Sequence, residues 1–120
     1  MTAQTLFEKA LALLNYRDGD GTCDDALTKN ALGCINAVYC DLYFLLNSSG
    51  YADATSLRDT LNLPERVFFD VAPYGVAMHL AKMLGDILNQ QIFATIYNSK
   101  RAAIGSKDNV CDTFLKGEII

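Results

Sequence analysis

The chain has 120 residues, of which 51% are hydrophobic and 20% are charged, the balance of one folded globular domain and not of a disordered chain. Its longest uncharged apolar run covers residues 42–46, whereas a helix that crosses a bilayer needs about 20 such residues. Ten Lys and Arg against fourteen Asp and Glu leave a net charge of −4. This charge argues against a free nucleic-acid binder, because such proteins carry a basic surface. No basic segment followed by an apolar one opens the sequence, so we expect no secretion.

The four cysteines, Cys23, Cys34, Cys40 and Cys111, predict reduced thiols that pack as small hydrophobic side chains. A zinc site ordinarily needs a close Cys-x-x-Cys pair with further Cys or His, whereas these cysteines lie 11, 6 and 71 residues apart and the chain has one histidine. A disulfide framework is typical of short secreted chains. We therefore expect no structural metal, no cofactor and no disulfide.

The first helix is expected over about 5–16 and the second over about 24–47. Thr5 and Glu8 fit a capping box at the start of the first helix, and the Gly- and Asp-rich segment 16–22 favours a turn after it. The second helix is apolar on more than one face, which predicts a central helix or one that meets a partner. Gly33 inside it predicts close packing against a neighbour, since Gly costs a helix about 1 kcal/mol relative to Ala.

The third helix is expected over about 63–84 and the fourth over about 87–103. Pro64 predicts the start of the third helix, because a proline at the first helical position loses no backbone hydrogen bond. Pro73 lies inside the helical pattern and predicts a kink or a break. Gly85 and Asp86 predict the end of one helix and the N-cap of the next. Beyond Ile104 the helical period fades.

These elements predict an all-α fold, a single small bundle of about four helices with an extended C-terminal tail. The helical domain is expected over 1–104, and the tail over 105–120 is expected to be ordered by assembly. The predicted core takes one apolar face from each helix: Leu13, Leu27, Ile35, Val38, Leu42, Val76, Leu80, Leu84, Leu88, Ile92 and Ile96.

No catalytic constellation is evident. The Asp-rich segment 18–24 suggests calcium, but aligning Gly21 with the invariant glycine of a calcium loop places Tyr16 and Leu27 where acids belong. His79 lies on an apolar helical face, and no nucleophile is placed near it by spacing, so we expect a core or interface residue. For Asp41 we expect a solvated or interface carboxylate, with pairing to a buried Arg as the alternative. The sequence predicts no enzyme.

The remaining candidates are contact residues on the helices. Tyr39, Tyr43 and Phe44 lie at helical spacing and belong to the core or to a subunit contact. Lys100 and Arg101, together with Lys107, form a basic cluster where cations favour the helix dipole or meet an acidic partner or phosphate.

The tail adds a second set of contact candidates. Five aliphatic and aromatic residues stand in a mostly polar segment: Val110, Phe114, Leu115, Ile119 and Ile120. A freely solvated tail gains little from such residues, so we expect them to anchor in the groove of a neighbouring subunit.

The order of the segments carries a family resemblance over about residues 5–103. An amphipathic helix is followed by NAVYCDLY at 36–43, LNLPE at 61–65, YGVAMHLA at 74–81, Gly-Asp at 85–86 and FATIYNSKR at 93–101. This order is similar to that of the small head–tail connector proteins (adaptor or head-completion proteins) of tailed bacteriophages.

The resemblance implies an all-α virion protein without enzymatic activity. Such proteins form a ring in the neck, commonly a dodecamer, which docks on the portal protein, extends the DNA channel and offers a platform for the tail or tail-completion protein. Assembly takes place in the host bacterial cytoplasm without a membrane. DNA passes through without specific binding, and a net negative chain suits that role because it repels phosphate. The alternative is a small cytoplasmic helical binding or regulatory module that dimerises through its second helix.

Overall fold

The computed structural model describes the backbone of residues 1–15, 25–46 and 50–115, and their side chains except those of 25–27 and 105–115. This part of the chain is all-α, as predicted, and its helices are α1 (Ala3–Leu14), α2 (Asp25–Leu46), α3 (Glu65–Asp70), α4 (Ala72–Met83) and α5 (Ile87–Leu115). Among these helices, none is long and apolar enough to cross a membrane.

The predicted third helix is divided into α3 and α4 at Val71. There φ is −114°, against about −63° in a regular helix, and the residue forms a turn between the two helices. Pro73 consequently falls in the first turn of α4, where its missing N–H leaves no hydrogen bond unmade. The break that the proline predicts is confirmed, and it lies two residues before the ring.

The turn between α4 and α5 is confirmed as predicted. Gly85 adopts φ 74°, and its N–H donates to Lys82 O at 3.2 Å while Asp86 N–H donates to Ala81 O at 2.9 Å. This pair of hydrogen bonds is a Schellman motif, which satisfies the last carbonyls of α4. The Asp86 carboxylate then accepts the backbone N–H of Asn89 at 3.1 Å as the N-cap of α5.

The start of α1 differs from the prediction. Thr2 and not Thr5 is the N-cap, and its Oγ1 accepts the N–H of Thr5 at 3.2 Å. The N–H of Ala3, the first residue of α1, donates to Asp59 O at 2.9 Å in the loop before α3. The capping box at Thr5 and Glu8 is therefore wrong, because a distant loop supplies acceptors that local sequence does not reveal.

The centre of the fold is α4, which packs against each of the other four helices. Gly75 allows this closeness: a Cβ there would lie 2.7 Å from Tyr97 Cε1 and 2.9 Å from Val38 Cγ2. Gly33 is exposed, and a Cβ there would meet nothing within 4 Å. The close packing predicted for Gly33 is thus wrong and occurs at Gly75 instead.

Much of the predicted core is confirmed. Five of its residues are at most 1% exposed: Ile35, Val38, Leu42, Val76 and Leu80. Leu13 and Ile96 are partly buried against the core. The side chain of Leu27 lies outside the described residues.

The predicted core is wrong at the α4–α5 corner. Leu84, Leu88 and Ile92 are 43%, 69% and 45% exposed. The face of α5 that meets α4 instead carries Phe93 and Tyr97, which are buried. A helix turns by about 100° per residue, so burying Phe93 directs Leu88 and Ile92 towards solvent.

The structure differs from the predicted extended tail over residues 105–115. The backbone of α5 remains helical to Leu115, beyond the expected end near residue 103. A single glycine at 105 costs a helix only about 1 kcal/mol and no proline follows it. Residues 116–120, the Asp-rich segment 18–24, Cys23 and the Cys111 side chain lie outside the described residues.

Candidate interaction surfaces

A charged fork joins α2 to α5. Arg101 donates to Asp41 twice, from Nε to Oδ2 at 2.7 Å and from Nη2 to Oδ1 at 2.9 Å. The Tyr97 hydroxyl donates to the same Oδ2 at 2.7 Å. Asp41 is therefore paired with an Arg, as the alternative prediction had it, but the Arg101 side chain is 38% exposed and not buried.

The fork changes the acidity of its members. Burial alone would raise the pKa of the Asp41 carboxyl, but hydrogen bonds from Arg101 and Tyr97 and the Arg101 charge outweigh burial and lower that pKa. Burial, and then the hydrogen bond to Asp41, raise the pKa of Tyr97. The fork is consequently a carboxylate, a guanidinium and a neutral phenol at neutral pH, which is a structural arrangement with no proton to exchange.

The predicted basic cluster is engaged within the chain itself. Lys100 Nζ lies 3.0 Å from Asp70 Oδ1 and 5.2 Å from the ring centroid of Tyr74. Arg101 is taken up by Asp41. The Lys107 side chain lies outside the described residues, as do the side chains of the tail candidates Phe114, Leu115, Ile119 and Ile120.

The predicted aromatic contacts separate into two kinds. Tyr39 and Tyr43 are each 6% exposed and lie in the core of the chain itself. Tyr51 from the following loop packs on both rings, with centroid distances of 5.1 Å and 5.5 Å. Phe44 is 52% exposed and is the member of the three aromatic candidates that a partner can reach.

The Asn36 side chain on α2 forms hydrogen bonds to the loop that follows this helix. Asn36 Nδ2 donates to Ala54 O at 2.9 Å, and Asn36 Oδ1 accepts Ala54 N–H at 2.8 Å. The Tyr39 hydroxyl accepts the N–H of Asn62 at 2.9 Å. The second apolar face of α2 is thus covered by the loop of the same chain.

A groove opens between the end of α2, α3 and the middle of α5, with a volume of about 440 Å³. Its lining is mainly apolar and comes from Leu46, Pro64, Val67, Val71, Ala103 and Ile104. Three charged residues complete it, namely Arg66, Asp70 and Lys100. We call this concave surface the groove.

A group of exposed apolar side chains lies at the α4–α5 corner. Its five side chains are between 42% and 69% exposed: Met83, Leu84, Ile87, Leu88 and Ile92. Single exposed apolar side chains are ordinary on soluble proteins, whereas several of them grouped together are a candidate contact surface. We call this surface the corner patch.

The His79 imidazole and the Cys34 thiol are packed within the fold. His79 is half-buried, and burial followed by the charge of Lys82 lowers its pKa. Cys34 is buried, its Sγ lies 3.4 Å from Met83 Sδ, and burial raises the pKa of its thiol. Within the described part of the chain, no cluster of three or more His, Cys, Asp or Glu can hold a metal ion.

Comparison of the chain with protein-family models, with curated proteins and with solved structures finds no match. Sequence reasoning missed both the groove and the corner patch. The one signal for the patch was the surplus of apolar residues in α5, which has more than a single face can bury.

Proposed function

We propose that this protein is a structural subunit of the neck of a tailed bacteriophage particle, without enzymatic activity. Its copies form a ring that docks on the portal protein, extends the DNA channel and links head to tail. The order of its sequence segments resembles that of head–tail connector proteins, and an all-α fold is what the resemblance implies.

One observation carries the proposal: a single chain bears two unlike apolar surfaces, the groove and the corner patch. A ring is built from heterologous contacts, in which one face of each subunit meets a different face of the next. A two-fold dimer needs only one self-complementary face. Two separate and unlike surfaces therefore favour a ring subunit.

The alternative, a small module that dimerises through α2, has less support. The aromatic side chains that suggest such a contact, Tyr39 and Tyr43, are buried against the loop of the same chain. Phe44 alone of the three projects from α2, and one side chain is a small part of the roughly 800 Å² per partner of a standard interface.

The net charge of −4 supports the conduit role. A channel for DNA must let the phosphate backbone pass, and acidic surface repels phosphate where basic surface binds it. The two described basic side chains of the expected cluster, Lys100 and Arg101, are already paired with Asp70 and Asp41. Neither of them is free to hold DNA phosphates strongly.

The test is a deletion of the gene in the phage or prophage that encodes it. The proposal expects portal and capsid genes beside it, and DNA-filled heads without tails in electron micrographs of the deletion strain. Supplying the wild-type gene in trans restores tailed particles and places the chain in the neck by immunogold labelling. Normal, infectious tailed particles from the deletion strain overturn the proposal.

A further inference from the structure

We propose that the Met83 thioether is an oxidation site, and that its conversion to the sulfoxide by a peroxide uncovers the buried thiol of Cys34. The two sulfur atoms then form a redox-responsive contact between α2 and α4. This inference is independent of the proposed function, because it follows from a contact within one chain.

The two sulfur atoms lie in direct contact where the helices pack. Cys34 on α2 donates its S–H to Sδ of Met83, the last residue of α4, at 3.4 Å. Cys34 is 9% exposed, whereas Met83 is 42% exposed. The thioether is therefore the member of the pair that a solute reaches from water, and the thiol is the buried member.

A peroxide meets two sulfur atoms of different reactivity in this pair. Thiols react as thiolates, and burial raises the pKa of the Cys34 thiol, so that Cys34 stays protonated and unreactive at neutral pH. A thioether has no proton to lose, and its oxidation depends on its exposure. We therefore expect Met83 to be oxidised before Cys34.

The reaction with hydrogen peroxide balances without a further reactant. A lone pair of Met83 Sδ attacks one peroxide oxygen, so that a sulfur–oxygen bond forms and the oxygen–oxygen bond breaks. The second oxygen leaves as water after it takes up the proton of the first. Sulfur loses two electrons, peroxide gains them, and the product is methionine sulfoxide.

The end of α4 confines the response to the side chain of Met83. Leu84 N–H donates to Leu80 O at 3.0 Å and Gly85 N–H donates to Lys82 O at 3.2 Å, so hydrogen bonds hold the backbone that follows Met83. The side chain itself has three rotatable bonds. A sulfoxide oxygen loses free energy away from water, and the neighbouring thiol is only a weak donor. The oxidised side chain therefore turns outward.

This movement exposes a second sulfur atom. When the oxidised side chain of Met83 turns towards water, the Cys34 thiol loses the group that covers it. Methionine sulfoxide is reduced again by methionine sulfoxide reductases, which restores the thioether and its contact with the thiol. The pair consequently converts a reversible oxidation at the surface into access to a buried thiol.

The experiment treats the full-length chain with hydrogen peroxide and follows each sulfur atom by peptide mass spectrometry. Met83 should form the sulfoxide before Cys34 is oxidised. N-ethylmaleimide should then label Cys34 about tenfold faster or more under native conditions, because labelling follows the fraction of time that a buried thiol is uncovered. Cys40, which is half-buried on α2, should be labelled at an unchanged rate.

Three variants separate oxidation of Met83 from other effects of peroxide. Met83→Leu keeps an apolar side chain of similar size that peroxide does not oxidise, and peroxide should no longer accelerate the labelling of Cys34. Met83→Gln introduces a polar amide, and Cys34 should be labelled fast without peroxide. Met78→Leu is the matched control on the same helix, since Met78 packs against the core, and this variant should respond to peroxide as the wild-type chain does.

Four outcomes overturn the proposal. They are oxidation of Cys34 before Met83, unchanged labelling of Cys34 once Met83 is fully converted to the sulfoxide, equal acceleration by peroxide in the Met83→Leu chain, and acceleration of Cys34 and Cys40 together with loss of helical circular dichroism, which indicates general unfolding. None of them bears on the gene-deletion phenotype. Failure of this proposal and failure of the proposed function are therefore distinguishable.

Discussion

Arg101 on α5 holds both carboxylate oxygens of Asp41 on α2, with distances of 2.7 Å from Nε and 2.9 Å from Nη2. The Tyr97 hydroxyl adds a third hydrogen bond to Asp41 at 2.7 Å. Bidentate pairing fixes direction as well as distance. The fork consequently sets the rotation of α5 about its own axis, which decides which residues of α5 face the core.

Replacing Asp41 by Asn should lower the free energy of unfolding by about 1–2 kcal/mol, since it removes a charged acceptor from two donors. Urea unfolding at pH 7 followed by circular dichroism measures the change. Asp70→Asn is the matched control: its carboxylate pairs with Lys100 at a side-chain exposure of 57%, and exposed pairs contribute about 0–1 kcal/mol. Equal losses for the two variants would contradict a special role for the fork.

The single histidine should make stability fall as pH decreases below neutrality. Burial and Lys82 lower the pKa of folded His79 from 6.5. As the pH falls below 6.5, His79 is therefore protonated more readily in the unfolded chain than in the folded chain, and this difference favours unfolding. His79→Gln should show a flatter dependence of unfolding free energy between pH 7 and pH 5. A wild-type chain that loses less unfolding free energy between pH 7 and pH 5 than the His79→Gln variant would contradict this prediction.

Two glycines inside helices, Gly33 in α2 and Gly75 in α4, should respond to replacement by alanine with opposite signs. Gly33→Ala should raise the free energy of unfolding by about 0.5–1 kcal/mol, because its Cβ meets nothing and the helix gains propensity. Gly75→Ala should lower it by about 1–3 kcal/mol, because its Cβ would overlap Tyr97 and Val38. Thermal and urea unfolding of both variants give the comparison, and a stabilised Gly75→Ala chain would show that α5 can move away freely.

The helix ends that the sequence predicts well depend on interactions between residues close together in the chain. The Gly85–Asp86 pair ends α4 and caps α5 through hydrogen bonds that span only a few residues. Pro64, predicted at the first helical position, precedes α3 by one residue as its N-cap. The start of α1 is less accessible to such patterns, because the N–H of Ala3, its first residue, donates to the carbonyl of Asp59, which is distant in sequence. Local patterns contain no information about such partners.

The face of α5 was mispredicted for a related reason. Both of its sides carry apolar residues, and the side that is buried is the one whose Tyr97 fits over Gly75 and bonds to Asp41. That choice depends on α4 and α2, so periodicity within α5 cannot reveal it. The groove and the corner patch follow from the same packing, which is why neither was predictable.

A pair of leucines tests the corrected core. Leu42 is fully buried and Leu88 is 69% exposed. Leu42→Ala should lower the free energy of unfolding by about 2–5 kcal/mol, as large-to-small core changes do. Leu88→Ala should change it by less than about 0.5 kcal/mol in dilute monomer. Urea unfolding at low micromolar concentration measures both, and a loss below half a kcal/mol for Leu42→Ala would show that α2 buries another face.

Truncation after Ile104 should separate folding from assembly. The residues by which α5 is held, Phe93, Tyr97 and Arg101, all precede that point. The shortened chain should therefore unfold within about 1 kcal/mol of the full chain. It should nevertheless be missing from purified particles, because it lacks the apolar residues expected to anchor in a neighbour.

A chain that ends at Leu115 is the matched control, since it keeps the whole of α5 and lacks only the last five residues. It should fold like the full chain. Its level in particles shows whether residues 105–115 are sufficient for incorporation or whether Ile119 and Ile120 are needed as well. Quantitative mass spectrometry of purified particles gives that level for each chain relative to the portal protein. Wild-type amounts of the chain truncated after Ile104 in infectious particles would contradict any role of the tail in assembly, while the fold argued from α5 would stand.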